Sequence, residues 1–181
     1  GKRKVEMGKV RAIEREGRRA SRGVLKDGRD VVLRGTNDVN DENRGLFVDD
    51  PRFGRVLVPW SAFVRVDFED AGSGPGYDEF PPLGPLQGSV KTRDGKVHRG
   101  RIVYDVDESR GWETLDGDQD GISYSIPFAQ VASVVPSGRL RARVQLRGAK
   151  EELVLEESGD VTERNAGVFV LDGDRKTYVP W

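Results

Sequence analysis

Residues 38–48 read Asp-Val-Asn-Asp-Glu-Asn-Arg-Gly-Leu-Phe-Val, and residues 160–170 read Asp-Val-Thr-Glu-Arg-Asn-Ala-Gly-Val-Phe-Val. The identical positions are Asp38/Asp160, Val39/Val161, Asn43/Asn165, Gly45/Gly167, Phe47/Phe169 and Val48/Val170. Val-Pro-Trp follows each stretch and ends at Trp60 and at Trp181. Because self-similarity of this kind indicates a repeated structural unit, it decides which fold to expect.

A weaker third copy lies between these two. Residues 124–134 (Tyr-Ser-Ile-Pro-Phe-Ala-Gln-Val-Ala-Ser-Val) share with residues 56–66 a branched aliphatic residue, a proline, a large aromatic residue and later apolar positions. Phe128 therefore takes the place of Trp60 and Trp181. We expect these three rings to anchor the cores of three equivalent units, and we expect Trp60→Ala to cost at least about 3 kcal/mol.

The local signals within each copy are those of short antiparallel strands. Residues 139–147 alternate between arginine or glutamine and apolar residues, as a half-buried strand does. Asp-Gly pairs, which favour hairpin turns, begin at residues 27, 94, 116 and 172. We therefore predict an all-β protein of tandem small barrels, with three repeats of which the third is incomplete.

Composition places the boundaries of these repeats. We predict a basic N-terminal arm over 1–23, a first barrel over 24–69, a Gly/Pro-rich linker over 70–88, a second barrel over 89–136 and a third over 137–181. The third copy stops at Trp181, where the others run on into a further strand. We expect an unpaired sheet edge, an exposed Trp181 and a chain that is processed or truncated at both ends.

The residue inventory excludes most familiar catalytic chemistry. The chain of 181 residues has no cysteine and one histidine, His98, so disulfides, thiolate sites and histidine-based metal clusters are excluded. No apolar run approaches the roughly 20 residues of a membrane helix. We expect no enzymatic activity. A hydrolase that uses the paired carboxylates of Asp105 and Asp107 is the catalytic alternative, although the sequence shows no contrast between their environments.

Charge is distributed unevenly, although the net charge is −1. Residues 1–29 carry eleven Lys/Arg against four Asp/Glu, and residues 66–121 carry six against thirteen. The basic residues could bind acidic protein subunits or an anionic membrane surface. A solvated strand face paired with the glutamates of 151–157 is the alternative. No aromatic residues interleave with the arginines, which argues against nucleic acid. The candidate partner-binding residues are Arg139, Arg141, Arg143, Arg147, Lys2, Arg3 and Lys4.

Two further patterns have both a ligand-binding and a structural interpretation. Asp116, Asp118 and Asp120, followed by Gly121, match the first half of a calcium loop, but Pro127 stands where the bidentate glutamate belongs. An acidic hairpin turn is therefore the favoured interpretation, with calcium as the alternative cofactor. The repeated Asp38/Asp160 and Asn43/Asn165 could bind a ligand, but we expect their side chains to cap turns.

The middle copy carries a family resemblance. Residues 95–107 (Gly-Lys-Val-His-Arg-Gly-Arg-Ile-Val-Tyr-Asp-Val-Asp), Gly111, Leu115, Ile126-Pro127-Phe128 and Val131 resemble a PRC-barrel, and also SH3-like and Sm-like barrels. The PRC-barrel family is named after the H subunit of bacterial photosynthetic reaction centres, and other members assist RNA processing. The resemblance implies a docking module without catalytic residues.

The resemblance, together with the absence of a membrane helix, predicts a non-enzymatic interaction or scaffold protein. We expect an extrinsic accessory subunit of a bacterial membrane complex, such as a photosynthetic reaction centre, on the periplasmic side of the membrane. One alternative is an RNA-binding or ribosome-maturation module of the Sm or PRC-barrel type. Another is a calcium-binding, extracytoplasmic β-repeat protein.

Overall fold

Antiparallel strands make up the fold of the computed structural model, which describes residues 4–69 and 83–181. The predicted all-β fold class is confirmed. The strands in chain order are β1 (Val10–Arg15), β2 (Ala20–Leu25), β3 (Asp30–Arg34), β4 (Leu46–Asp50), β5 (Gly54–Val58), β6 (Arg65–Asp67), β7 (Gln87–Lys91), β8 (Val97–Val103), β9 (Thr114–Gln119), β10 (Ile122–Pro127), β11 (Val131–Pro136), β12 (Arg141–Leu146), β13 (Glu152–Glu156), β14 (Val168–Asp172) and β15 (Arg175–Val179).

The chain divides into two compact units. The first takes residues 1–47 and 57–80, and the second takes residues 48–56 and 81–181. Helical structure is limited to single 3-10 turns at Met7–Lys9, Phe128–Gln130 and Gly159–Val161 among the described residues. No helix in that part of the chain has the length and apolar character to cross a bilayer.

The first unit is built on a sheet of order β3-β2-β1-β6. Its buried residues include Ala12 and Val24 on the strands, and Trp60 and Phe63 in the segment before β6. The Trp60 and Phe63 ring centroids lie 5.3 Å apart. Burial of a tryptophan removes roughly 150–250 Å² from water, so this aromatic pair contributes much of the core of a small unit.

The second unit contains a sheet of order β15-β14-β8-β7 and most of a sheet of order β11-β12-β13-β9-β10-β5-β4, in which the first two residues of β4 and the last two of β5 are assigned to the first unit. Alternation in β12 buries Ala142, Val144 and Leu146 and exposes the arginines between them, as predicted. Gly54 (φ +74°) lets β5 approach β10, because a Cβ there would lie 2.5 Å from the Ser125 carbonyl oxygen. The core consists of Tyr104, Leu115, Ile126, Phe128, Val131, Ala142, Val144, Leu146, Leu153, Leu155, Val161 and Val168.

The predicted domain boundaries differ from this arrangement. The predicted arm over 1–23 contains β1 and most of β2, which pair with each other because their residues have sheet periodicity and a polar turn between them. The predicted linker over 70–88 contains the start of β7 at Gln87, and its residues 70–82 lie outside the described residues. The predicted first barrel over 24–69 contains residues 48–56, which belong to the second unit.

The predicted second and third barrels, over 89–136 and 137–181, are not separate units. Leu115 and Ile126 from the first of these segments share one core with Val144 and Leu155 from the second. A segment of about 50 residues buries too small a fraction of its surface to be stable alone, and a shared core removes that difficulty. The structure thus divides into two compact units, and the predicted number of three repeats stays a prediction.

Three of the four predicted Asp-Gly turns are confirmed, with Gly28, Gly95 and Gly173 at positive φ between paired strands. The fourth prediction is wrong, because residues 116–117 lie inside β9 and the turn falls at Asp120-Gly121. Gly117 is needed there for close packing, since a Cβ would lie 2.8 Å from the Cβ of Leu155.

The prediction of an exposed Trp181 is also wrong. Its ring is half-buried against the core and stands edge-on to Tyr104, with 6.2 Å between centroids. Tyr104 belongs to a segment far away in the sequence, so no pattern near residue 181 shows that a ring will cover it. In the described sheet, β15 does lie at an edge.

Candidate functional site

The repeated asparagines hold the same hydrogen bonds in both units. Asn165 donates from Nδ2 to the Asp160 carbonyl (3.0 Å) and accepts the Gly167 N–H at Oδ1 (2.8 Å). Asn43 donates to the Asp38 carbonyl (3.2 Å) and accepts the Gly45 N–H (2.8 Å). Both glycines have positive φ. The asparagines therefore close the turn, as predicted, and these polar atoms are engaged by backbone.

Asp38 and Asp160, which hold the same position in the two copies of the motif, differ in their surroundings. The carboxylate of Asp160 accepts the Asp116 N–H at 2.7 Å, and its carbonyl accepts a hydrogen bond from the Tyr104 hydroxyl at 2.6 Å. Burial raises the pKa of Asp160, against the lowering effect of the Asp116 N–H. Asp38 is exposed. The same residue type is thus half-buried and bonded to the backbone in one unit and exposed in the other.

The repeat anchors are core residues in both units. Trp60 and Phe128 are each 7% exposed, and Phe128 packs on Tyr104 with 5.2 Å between ring centroids. Trp181, the third anchor, is half-buried. The indole N–H groups of Trp60 and Trp181 are both buried without a hydrogen-bond partner. An unpaired buried donor is costly, so each marks a position where an acceptor could bind.

The predicted calcium residues lie on a hairpin. Asp116 and Asp118 are on β9, and Asp120 (φ +55°) is at the turn to β10. An extended strand holds alternate side chains apart along one face, so the three carboxylates are not gathered around one point. The acidic hairpin interpretation agrees with this geometry, and calcium binding by these three residues stays a prediction.

The predicted arginine face lies on the exposed side of β12 and in the turns before and after it. Arg139 forms an ion pair with Glu163 (2.8 Å) and Arg143 lies 3.8 Å from Glu152. Arg141 and Arg147 have no ion-pair partner among the residues described. Of the N-terminal candidates, Lys4 is exposed, whereas Lys2 and Arg3 lie outside the described residues. Two of the four arginines of this face therefore lie next to glutamates.

An acidic cluster forms in the loop after β8. The ligand oxygens of Asp105, Asp107 and Glu108 lie within 4.8 Å of one another. Burial raises the pKa of Glu108 to about 8, and both a hydrogen bond with Asp107 and the negative charge of Asp107 add to this effect. Carboxylates this close are the kind of ligands that hard cations such as Ca²⁺ prefer. Sequence reasoning selected Asp105 and Asp107 but missed Glu108, which a backbone at positive φ (Asp105, Val106) brings round to them.

Backbone hydrogen bonds fix residues 109–113 of this loop, and the side chain of Trp112 is exposed on it. Glu113 accepts the Arg110 N–H at Oε2 (2.7 Å), and its carbonyl accepts the Phe128 N–H (2.9 Å). The Ser109 carbonyl accepts the Leu86 N–H at 2.8 Å. Trp112 nevertheless stays 62% exposed. Sequence reasoning missed Trp112, and the available signal was that it is the one tryptophan outside the Val-Pro-Trp repeats.

A basic groove, formed by two adjoining clefts, lies in the first unit. One cleft is lined by Arg18, Arg19, Arg34, Gly35, Asn40, Asp41 and Glu42. The other shares Arg18 and Asp41 with it and adds Arg15, Gly17, Asn43, Trp60 and Ser61. Arg15 fixes the far end of the groove by donating to the carbonyls of Trp60 (2.7 Å) and Ser61 (2.8 Å).

Comparison with known proteins gives no match: no family model, no curated protein and no solved structure is similar to this chain. The resemblance to PRC-barrels stays a prediction. The function therefore has to be argued from the residues themselves.

Proposed function

We propose that the protein is a non-catalytic interaction module that docks on a partner protein through the 105–113 loop of its second unit. The observation that carries this proposal is the exposed Trp112 on a hydrogen-bonded loop. Exposed tryptophan is rare among surface residues and common at the centre of binding interfaces. Trp112 is the anchor of the interface.

The loop is suited to docking because its backbone is already ordered. The Tyr104 N–H donates to the Glu108 carbonyl at 2.7 Å, and the Gly111 N–H donates to the Gly84 carbonyl at 3.2 Å. An ordered loop loses little conformational entropy on binding, so more of the contact energy remains as affinity. The indole side chain adds a large rigid surface with a single donor at its edge.

Charge defines the partner's surface. The loop that carries Trp112 has an excess of negative charge, because Asp105, Asp107 and Glu113 outnumber Arg110, while the raised pKa of Glu108 leaves that group mostly protonated near neutral pH. A complementary partner offers an apolar pocket bordered by lysine or arginine. The same charge repels a phosphate backbone, which argues against the alternative RNA-binding function. The finer expectation, an extrinsic subunit of a bacterial membrane complex, stays a prediction that fits such a docking role.

Site-specific photo-crosslinking tests the proposal. A photoreactive phenylalanine analogue replaces Trp112 in one variant and Leu140, which is 68% exposed in the same unit, in a matched control. We expect one protein to be captured from native extract at position 112 and not at position 140. With that protein purified, Trp112→Ala should weaken binding by at least about tenfold, as loss of a central anchor does.

Thermal unfolding of the Trp112→Ala variant provides the folding control, because removal of an exposed side chain should leave the transition unchanged. Equal capture at positions 112 and 140 contradicts the proposal. So does binding by Trp112→Ala that stays within about twofold of the unaltered protein.

A further inference from the structure

The basic groove of the first unit has an excess of arginine that the protein itself does not neutralise. Arg18 forms an ion pair with Asp41 at 2.9 Å. Arg19 and Arg34 line the same cleft and have no carboxylate partner in the part of the chain that the structure describes. Guanidinium groups left unpaired along a concave surface are the arrangement that recognises carboxylates, because each offers a planar fork of donors.

We infer that this groove binds an extended acidic peptide segment of a partner protein, with Arg19 and Arg34 on its carboxylates and Trp60 at its far end. The site is distinct from the 105–113 loop and does not depend on the function proposed for that loop. The repeat motif explains the fold around it but leaves these arginines without a structural role.

Trp60 closes the far end of the groove. Trp60 lines the second cleft and is only 7% exposed, so it is a fixed boundary of the groove. The Arg15 guanidinium holds the Trp60 backbone in place from the same cleft.

The groove also contains acidic residues, and these select between anionic ligands. Asp41 and Glu42 lie among the arginines. A nucleic acid carries a charge on every phosphate and would meet these carboxylates along its length. A peptide has spaced carboxylates and backbone N–H donors between them, which Asp41, Glu42 and Asn40 can accept. The mixed lining therefore favours a peptide over a polyphosphate.

Fluorescence anisotropy with a labelled peptide of alternating glutamate and glycine tests this assignment on the whole chain. We expect saturable binding that Arg19→Glu combined with Arg34→Glu weakens by at least about tenfold, because two attractive contacts become repulsive. The matched control is Arg141→Glu combined with Arg147→Glu, which makes the same charge change on exposed arginines of the second unit. The control should retain binding within about twofold.

Three results overturn the assignment. One is an equal loss of peptide binding in both double variants, which indicates general charge attraction. Another is tighter, groove-dependent binding of a single-stranded RNA of equal length, which assigns the groove to nucleic acid. The third is no saturable binding of the peptide by the unaltered protein. Circular dichroism of each variant checks that these exposed substitutions leave the fold intact. The Trp112→Ala variant should bind the peptide normally, so failure of the docking loop and failure of the groove are distinguishable.

Discussion

The two copies of the Asp-Val…Asn…Gly motif close the same turn in different surroundings. Asn43 and Asn165 make equivalent pairs of hydrogen bonds, and a Cβ at Gly45 or Gly167 would clash with the carbonyl oxygen of Val58 or Val179. In the second unit Asn165 is 5% exposed, and Tyr104 donates to the turn. In the first unit Asn43 is half-buried.

The aromatic residue of the motif shows the same contrast. Phe169 is half-buried, with the Tyr178 ring 5.4 Å from its own and the Lys176 ammonium 3.6 Å above its face. Phe47, at the matching position, is 68% exposed. The comparison teaches that the sequence motif determines the turn, while the elements packed on it determine what each side chain contributes to stability.

The largest expected difference concerns the Val-Pro-Trp anchors. Trp60→Ala should cost at least about 3 kcal/mol, because it empties a nearly closed site beside Phe63, and Trp181→Ala should cost less, because Trp181 is half-buried. Unfolding in urea, monitored by hydrogen exchange of amides in each unit, measures the loss of stability in both variants. A loss below about 1 kcal/mol for Trp60→Ala contradicts its role as a core anchor.

The asparagines provide the next test. Asn165→Ala should lower the free energy of unfolding by about 2 kcal/mol, because it leaves the buried Gly167 N–H unpaired and removes one of the two hydrogen bonds to the Asp160 carbonyl, which keeps the bond from Tyr104. Asn43→Ala should cost about 1 kcal/mol, because water can reach its site. The control Asn165→Asp keeps an oxygen that accepts the Gly167 N–H but loses the donor to the Asp160 carbonyl. It therefore separates the contributions of these two hydrogen bonds. Equal losses at both asparagines would show that burial of the turn is unimportant.

The acidic cluster of the second unit predicts a pH dependence. The pKa of Glu108 is about 8 in the folded protein and 4.5 without burial, so the native state holds an extra proton between these values. Stability should therefore fall as pH rises through this window. Because Glu108 is only half-buried, the decline should be about 1 to 2 kcal/mol after solvent screening.

Glu108→Gln should remove most of that decline and should stabilise the protein at the alkaline end. Urea unfolding between about pH 5 and pH 9 in the presence of a chelator measures the effect. Glu157→Gln, on an exposed carboxylate, is the matched control. A Glu108→Gln profile that parallels that of the unaltered protein would contradict the raised pKa.

The smallest expected effect is the cation–π contact on Phe169. Lys176→Gln should lower the free energy of unfolding by about 0.5 kcal/mol, as exposed contacts of this kind do. Lys150→Gln, an exposed lysine of the same unit, should leave stability unchanged. Differential scanning calorimetry measures the change in stability of each variant. An equal shift in both variants would assign the effect to net charge.

Much of the fold could be predicted from short-range patterns. The alternation of β12, three Asp-Gly turns and the asparagine caps depend on residues a few positions apart, and all are confirmed. The division into two units could not be predicted, because it depends on β5 pairing with β10, far along the chain. The same holds for Trp181, which Tyr104 covers.

The residues of the candidate sites also divide into some that the sequence predicted and others that it did not. Sequence reasoning named Asp105 and Asp107 but not Glu108, and it named the arginines of β12 but not those of the groove. The three carboxylates meet because the backbone takes left-handed conformations at Asp105 and Val106, which are unusual for those residues. Arg19 and Arg34 share a cleft because β2 and β3 pair, with Ala20 opposite Arg34.

The sequence by itself determined the strands, the hairpin turns and the twice-used asparagine cap, because alternation, glycine conformation and local hydrogen bonds act over a few residues. Only the tertiary structure decided that Asp160 is half-buried while Asp38 is exposed, that Trp112 stays outside the core, and that the arginines of the first unit line one groove. Burial, desolvation and the convergence of side chains depend on segments distant in the chain, and their pairing is settled only when the whole core closes.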